Sequence, residues 1–223
     1  MLLCNWPSLQ PSLEVSEMGR SVRVFVSSTC YDLAQVRRNL EEFIRSYGFE
    51  PVMSDSRDVA VPASLTKIEA CKWMVETSDI FILIIGGRYG SQDNATGKSI
   101  TNIEFDTASE RQVPIYAFVD DEVLVKRETF ANLKARIADG DLSGKEAKNI
   151  IGGKIEDLRV FDFVDYVDKT AEQFMFPFRQ ASDITNALRE NWSLLLKSGL
   201  DSLKRGQNVA VPVHSVEPIL SVE

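Results

Sequence analysis

The strongest hydrophobic signal in the chain is a run of six apolar residues from Ile80 to Ile85. An acid, Asp79, precedes this run, and a glycine pair, Gly86 and Gly87, follows it. The run is too short to span a membrane and too rich in β-branched residues for a typical helix. It therefore predicts a central parallel strand that is buried on both faces. Glycines at its carboxyl end permit a sharp turn at the sheet edge where open α/β sheets bind ligands.

Shorter apolar and β-branched runs on either side of this strand alternate with segments of helical period. Strands are predicted at 22–28, 50–53, 113–119 and 173–178, in addition to 80–85. Helices are predicted at 32–47, at 62–77, from about Thr101, and around 184–196. Asp32 is the expected cap of the first helix, with Gln35 at capping-box spacing. The alternation predicts an α/β fold, a five-stranded parallel sheet with helices on both faces and right-handed crossovers.

This pattern indicates one domain that spans residues 21–198. Residues 1–20 are predicted to be a disordered extension, and the sequence leaves open whether Met1 or Met18 is the start. Residues 120–154 mix helix formers with glycines and are interpreted as a helical insertion. Between 155 and 169 an aspartate recurs every third residue, which favours one solvated helix face. Gly199 is expected to end the last helix, and residues 199–223 are expected to form a flexible tail.

The composition of the chain narrows the classes of function. The chain has 223 residues, a net charge of −8 and a pI near 4.9. This acidity argues against binding to nucleic acid or to an anionic membrane through bulk electrostatics. The three cysteines lack paired or metal-ligand spacing, and with His214 as the single histidine the sequence argues against a metal site or a histidine-based triad. No signal peptide is predicted, so the cytoplasm is the expected location.

Several residues with candidate binding chemistry are expected at the carboxyl edge of the sheet. They are Ser27, Ser28, Thr29, Asp55, Gly86, Gly87, Arg88 and Tyr89. Hydroxyls at a strand end either bind phosphate or ribose, or form turns and cap the next helix. The glycines match neither a Walker loop nor the dinucleotide GxGxxG pattern, so they indicate a tight loop more than a phosphate site. Arg88 either meets a phosphate or forms a surface salt bridge, and Tyr89 either stacks on a base or packs over the sheet edge.

Three motifs, taken together and in order, resemble one family. They are Val24-Phe-Val-Ser-Ser-Thr29 followed by Tyr31-Asp-Leu33 and Arg37; Ser78-Asp-Ile80 leading to Ile85-Gly-Gly-Arg-Tyr-Gly90; and Ser99-Ile-Thr-Asn-Ile-Glu104 with Ala108 before Val113-Pro-Ile115. They resemble the family catalogued as the domain of unknown function 4062 (DUF4062), which often lies at the amino terminus of large signalling NTPases. The resemblance covers residues 21–119 well and residues 155–198 in outline.

That family is similar to Toll/interleukin-1 receptor (TIR) domains and to nucleoside 2-deoxyribosyltransferases. Both are flavodoxin-like sheets in which a glutamate, on the helix after the third or fourth strand, acts on the ribose of NAD or of a nucleoside. The resemblance implies that Glu104 is the catalytic residue. It also implies a nucleotide or nucleoside ligand, with NAD or a nucleoside as substrate and no separate cofactor. Self-association or a signalling NTPase partner, in a signalling or defence context, is a further implication.

Glu104 also has a purely structural interpretation, because it follows Thr101 at capping-box spacing. A carboxylate with a catalytic role would instead stabilise the positive charge that forms on ribose when an N-glycosidic bond breaks. A helix N-terminus beside it would favour its ionised form. Two functions therefore remain open: an NAD or nucleoside glycohydrolase or deoxyribosyltransferase-like enzyme, and a non-catalytic protein-interaction or nucleotide-sensing module.

Overall fold

The computed structural model of the chain describes residues 21–28, 33–53, 61–170 and 175–205. Its strands are β1 (Arg23–Ser28), β2 (Glu50–Val52), β3 (Ile80–Ile85), β4 (Ile115–Asp120) and β5 (Met175–Phe178). Its helices are α1 (Ala34–Ser46), α2 (Lys67–Glu76), α3 (Ile100–Glu110), α4 (Asp121–Ala138), α5 (Gly144–Ile151), α6 (Arg159–Thr170) and α7 (Ala181–Lys204). The predicted strands and helices are thus present, and their boundaries differ by a few residues.

The five strands form one parallel sheet in the order β2-β1-β3-β4-β5. This confirms the predicted five-stranded parallel sheet, and the order is that of flavodoxin-like folds. The order reverses between β1 and β3, because the chain first adds β2 on one side of β1 and then crosses to β3 on the other. Ligands in such sheets bind outside the carboxyl ends of the strands at this reversal.

Helices cover both faces of the sheet, as predicted. Because side chains alternate along a strand, Phe25 and Phe81 point to one face, where their rings stack 5.6 Å apart. The hydrophobic cluster on that face joins them to α2, α3, α4, α5 and α6. Val24 and Ile82 point to the other face, where α1 and α7 pack. All six residues of β3 are buried, which is the burial expected of a central strand.

The described residues between β4 and β5, 121–170, contain three helices. Helices α4 and α5 fill most of the predicted helical insertion at 120–154, and α6 matches the helix expected from the repeated aspartates. These aspartates face α4 in part: Arg127 Nε donates to Asp165 at 2.6 Å and its Nη2 donates to Asp168 at 2.7 Å. Lys134 pairs with Asp162. The aspartate face of α6 is therefore an ion-pair contact with α4 as well as a solvated surface.

Two predicted helix starts are placed differently in the structure. Helix α1 has Leu33 rather than Asp32 at its N-cap, and the side-chain amide of Gln35 donates to Asn39 Oδ1 at 2.7 Å. Asp32 lies outside the described residues. Helix α2 starts at Lys67 rather than at Pro62, because Thr66 and Glu69 form a complete capping box four residues further on.

The predicted end of the last helix is also wrong. Helix α7 continues through Gly199 to Lys204 and has 24 residues. A glycine in a helix interior costs only about 1 kcal/mol relative to alanine, which the surrounding turns can offset. Residues 199–204, assigned to the tail from sequence, are therefore helical. Neither α7 nor any other described helix is long and apolar enough to cross a membrane.

Candidate functional site

The loop after β3 leads into α3 and determines where Glu104 lies on that helix. The N-cap is Ser99, whose Oγ accepts a hydrogen bond from the backbone N–H of Asn102 at 3.1 Å. Thr101 therefore lies inside the helix, and the alternative in which Glu104 forms a capping box with Thr101 is wrong. Glu104 is the fifth helical residue, so the field of the helix N-terminus, which falls off within the first turn, acts on it less than predicted.

Glu104 lies in the interior of the domain, at the carboxyl end of β1. Its side chain is only 2% exposed, and its Oε2 accepts a hydrogen bond from Ser27 Oγ at 2.6 Å. Ser27 is itself buried and is paired in register with Leu83 of β3. The hydrogen bond thus ties α3 to the sheet between β1 and β3, which is where the strand order reverses.

Cys71 of α2 is the third side chain of this cluster. The pKa of the Cys71 thiol is raised to about 11, chiefly by burial and then by the negative charge of Glu104 and a hydrogen bond with it, although the positive charge of Lys67 acts in the opposite direction. The thiol is therefore protonated near neutral pH. A buried, protonated thiol is not a nucleophile.

The chemistry available to this cluster follows from its burial. A carboxylate removed from water loses solvation, and the hydrogen bond from Ser27 offsets part of that loss. In such a low-dielectric site, the attraction between the carboxylate and a nearby positive charge is stronger than in water. The arrangement is able to stabilise a cation that develops beside Glu104.

Ser28 faces the opposite side of the sheet, because successive strand residues alternate. Its Oγ accepts a hydrogen bond from Arg37 Nη1 of α1 at 2.9 Å, and both residues are buried. Ser27 and Ser28, which the sequence grouped together, are therefore separated by the sheet itself. Thr29 and Asp55 lie outside the described residues.

The glycine loop after β3 contacts the segment that connects α5 to α6. A Cβ at Gly87 would lie 2.1 Å from the carbonyl oxygen of Lys154, so only glycine fits there. The Gly87 carbonyl accepts the backbone N–H of Glu156 at 2.8 Å. Gly86, at the end of β3, is buried. The tight loop predicted from these glycines is present, and the atoms that lie closest to Gly87 belong to the backbone of Lys154.

Arg88 and Tyr89 extend the same contact. Arg88 Nη2 forms a salt bridge with Glu156 at 2.8 Å, which is the alternative to a phosphate contact that the sequence left open for this residue. The Tyr89 ring packs beneath the Arg159 guanidinium at 4.5 Å from the ring centroid, and its hydroxyl accepts from Asn102 Nδ2 at 3.3 Å. The structure therefore brings Arg88 to the connection before α6 and Tyr89 to the first residue of α6, whereas Ser27 and Glu104 form a separate cluster with α2.

Sequence reasoning missed two members of these contacts, Cys71 and Asn102. Nothing in the sequence around Cys71 indicates that this helix residue lies near a carboxylate. Asn102 follows Ser99 at the spacing of an N-cap partner, a signal that the Thr101 interpretation obscured. In the described part of the chain, no cluster of histidine, cysteine and acidic residues is suited to hold a metal ion.

Comparison with known proteins gives a family but not an activity. No curated protein matches the chain. Among solved structures, the chain is similar to one described as the TIR domains of the activated Roq1 resistosome directly recognizing the pathogen effector XopQ, at 13% identity and a TM-score of 0.47. The similarity covers 76% of this chain and 98% of that chain. The model of the domain of unknown function DUF4062 matches residues 23–193. The chain therefore belongs to the DUF4062 family.

Proposed function

We propose that this domain binds a nucleotide or nucleoside between the carboxyl ends of β1 and β3, and that Glu104 acts on its N-glycosidic bond. The proposed setting is a cytoplasmic signalling or defence protein. The observation that carries the proposal is the buried Glu104 carboxylate, held by Ser27 at 2.6 Å where the strand order reverses. That edge of an open α/β sheet is the usual place for a ligand.

In this proposal Glu104 stabilises the ribose as the bond to the base breaks. The electron pair of the bond between C1′ and the base nitrogen leaves with the base, and positive charge develops on the sugar ring beside the carboxylate. Water then bonds to C1′. With NAD, the nicotinamide leaves as a neutral base and the water proton passes to solvent. Ser27 orients the carboxylate and does not itself touch the substrate.

The burial of Glu104 favours a second candidate, a module that senses a nucleotide or recruits a partner without cleaving anything. A side chain that is 2% exposed and already bonded to Ser27 has the environment of a structural link between α3 and β1. In this candidate the ligand or a second protein, such as another copy of the chain or a signalling NTPase, changes the state of the domain. This second candidate differs from the first because it releases no product.

A turnover assay with a matched variant separates the two candidates. Purified protein is incubated with NAD and with common nucleosides, alone and under crowding, and release of the base is followed by chromatography. If the enzyme proposal holds, Glu104→Gln lowers the rate by about 100-fold or more. Glu110→Gln changes an exposed acid of the same helix and should leave the rate unchanged. Ligand binding with no base release would favour the sensing module. If neither binding nor turnover occurs and Glu104→Gln changes only thermal stability, Glu104 is structural.

A further inference from the structure

Residues 152–158 connect α5 to α6 and lie against the loop that follows β3; we call this segment the strap. Its backbone takes up the space beside Gly87. The Gly87 carbonyl accepts the backbone N–H of Glu156 at 2.8 Å and that of Asp157 at 3.4 Å. The Lys154 carbonyl lies so close to Gly87 that a Cβ there would collide with it. The strap therefore occupies the carboxyl edge of the sheet at β3, next to the place proposed for the ligand.

The strap and the hydrogen bond between Ser27 and Glu104 lie on the same face of the sheet. Ser27 is two residues after Phe25 in β1, so the two side chains point to one face. Phe25 belongs to the same hydrophobic cluster as Ile155 of the strap. That cluster also contains Phe105, which follows Glu104 in α3. The strap therefore covers part of the face on which Glu104 is buried.

Only one residue of the strap is buried. Ile155 is 2% exposed, and the other residues of the segment are half-buried or exposed. The salt bridge of Arg88 with Glu156 joins side chains that are 37% and 52% exposed, so it contributes little. The strap begins with Gly152 and Gly153, both at positive φ, where glycine permits large backbone rotations. A segment with one buried residue and a glycine pair at its start opens at a low cost relative to the rest of the domain.

Two polar contacts with α4 hold the start of the strap. Lys126 Nζ donates to the Gly152 carbonyl at 2.9 Å and fixes the near end of the glycine hinge. The backbone N–H of Lys154 donates to Glu122 Oε1 at 3.1 Å in an exposed hydrogen bond, which water replaces when the strap opens. The part of the strap that lies against Gly87 is therefore free to move from a fixed end.

We propose that the strap is an autoinhibitory contact: it holds the site closed, and a ligand reaches Glu104 after the strap has moved away from Gly87. This inference rests on the proposed function. In the closed structure Glu104 is 2% exposed and Ser27 is 1% exposed, so a ribose contacts the carboxylate only when a covering segment is displaced. Because only the open molecules bind, the apparent affinity is the intrinsic affinity multiplied by the open fraction. A change that weakens the closed strap therefore tightens binding.

Ile155→Val weakens the closed strap without changing any charge. Removal of one buried methylene group at this position should raise the open fraction, and with it the apparent affinity for the ligand, by about two- to tenfold. Ile115→Val is the matched control, because Ile115 is a buried isoleucine of the same hydrophobic cluster at the amino end of β4. Calorimetric titration with NAD and with adenosine compares the wild type with both variants. Ile115→Val should leave the affinities unchanged.

Hydrogen exchange, followed by mass spectrometry of peptides that span residues 152–158, measures the opening of the strap directly. The amides of Glu156 and Asp157 are protected in the closed structure by the Gly87 carbonyl. We expect the strap to exchange faster in Ile155→Val than in the wild type. In both proteins we expect exchange of the strap to become faster when the ligand is bound.

The outcomes separate this inference from the function on which it rests. If a ligand binds while exchange of the strap slows or stays unchanged, or if Ile155→Val and Ile115→Val change the affinity equally, the strap does not control the site, while the proposed function stands. If neither NAD nor adenosine binds to the wild type or to Ile155→Val, the proposed function fails and this inference fails with it. Thermal unfolding of each variant checks that the fold is retained.

Discussion

The hydrogen bond between Ser27 and Glu104 predicts an energetic coupling between two residues that are 77 positions apart in the chain. A hydrogen bond to a charged group contributes about 1.5–3 kcal/mol. Ser27→Ala removes the donor and leaves a buried carboxylate with less compensation. We therefore expect Ser27→Ala to lower the free energy of unfolding by about 2 kcal/mol. For a domain of this size, that loss lowers Tm by about 4–8 °C.

A double-mutant cycle isolates this coupling from the effects of each side chain alone. Urea unfolding near pH 7 is measured for the wild type, Ser27→Ala, Glu104→Gln and the double variant. The expected coupling energy is about 1 kcal/mol, the difference between a hydrogen bond to a charged acceptor and one to the neutral amide oxygen that Glu104→Gln leaves in place. Ser28 supplies the control cycle, since its hydroxyl accepts from Arg37 on the other face.

Two results of the cycle would contradict this prediction. If the coupling of Ser27 with Glu104 is below about 0.5 kcal/mol, the two side chains act independently and the bond is not formed in solution. If the control cycle of Ser28 with Glu104 gives an equal coupling, the energy reflects a general disturbance at the end of β1. Either result would remove the main geometric support for the candidate site.

Two further predictions concern stability. Gly87→Ala should destabilise the domain by about 1–3 kcal/mol or more, because its Cβ would collide with the Lys154 carbonyl. Gly199→Ala should stabilise it by about 0.5–1 kcal/mol, because its Cβ meets nothing within 4 Å. Denaturation that ranks the stabilities of the two variants the other way would contradict this prediction. Because the pKa of Cys71 rises from 9.0 to about 11, chiefly through burial, its neutral thiol stabilises the fold fully below about pH 9. Roughly 2–3 kcal/mol of that stability should be lost between about pH 9 and pH 11. The free energy of unfolding is measured across this range for the wild type and Cys71→Ala, and the difference between the two proteins should become smaller as the pH rises. A constant difference would argue against the shift.

Strong local patterns predicted the elements that are buried in the centre of the fold. The run Ile80–Ile85 coincides with β3, because a strand covered on both faces must be apolar at every position. Prediction failed at helix ends, where several weak signals compete. Pro62 and the Thr66 capping box both indicate a helix start, and the capping box sets it because it satisfies backbone donors.

The candidate site was only partly predictable. Glu104 entered through a family resemblance, and its distinction from a capping residue depends on Ser99 being the N-cap. Arg88 and Tyr89 were expected at the sheet edge, but their partners Glu156 and Arg159 come from a segment whose path has no local signal.

The sequence by itself determined which segments become strands and helices, since periodicity and burial are properties of neighbouring residues. Only the tertiary structure decided that Ser27 meets Glu104 while Ser28 meets Arg37. Those contacts join residues far apart in the chain, and they form because particular helices pack on each face of the sheet. No local pattern of residues specifies that choice.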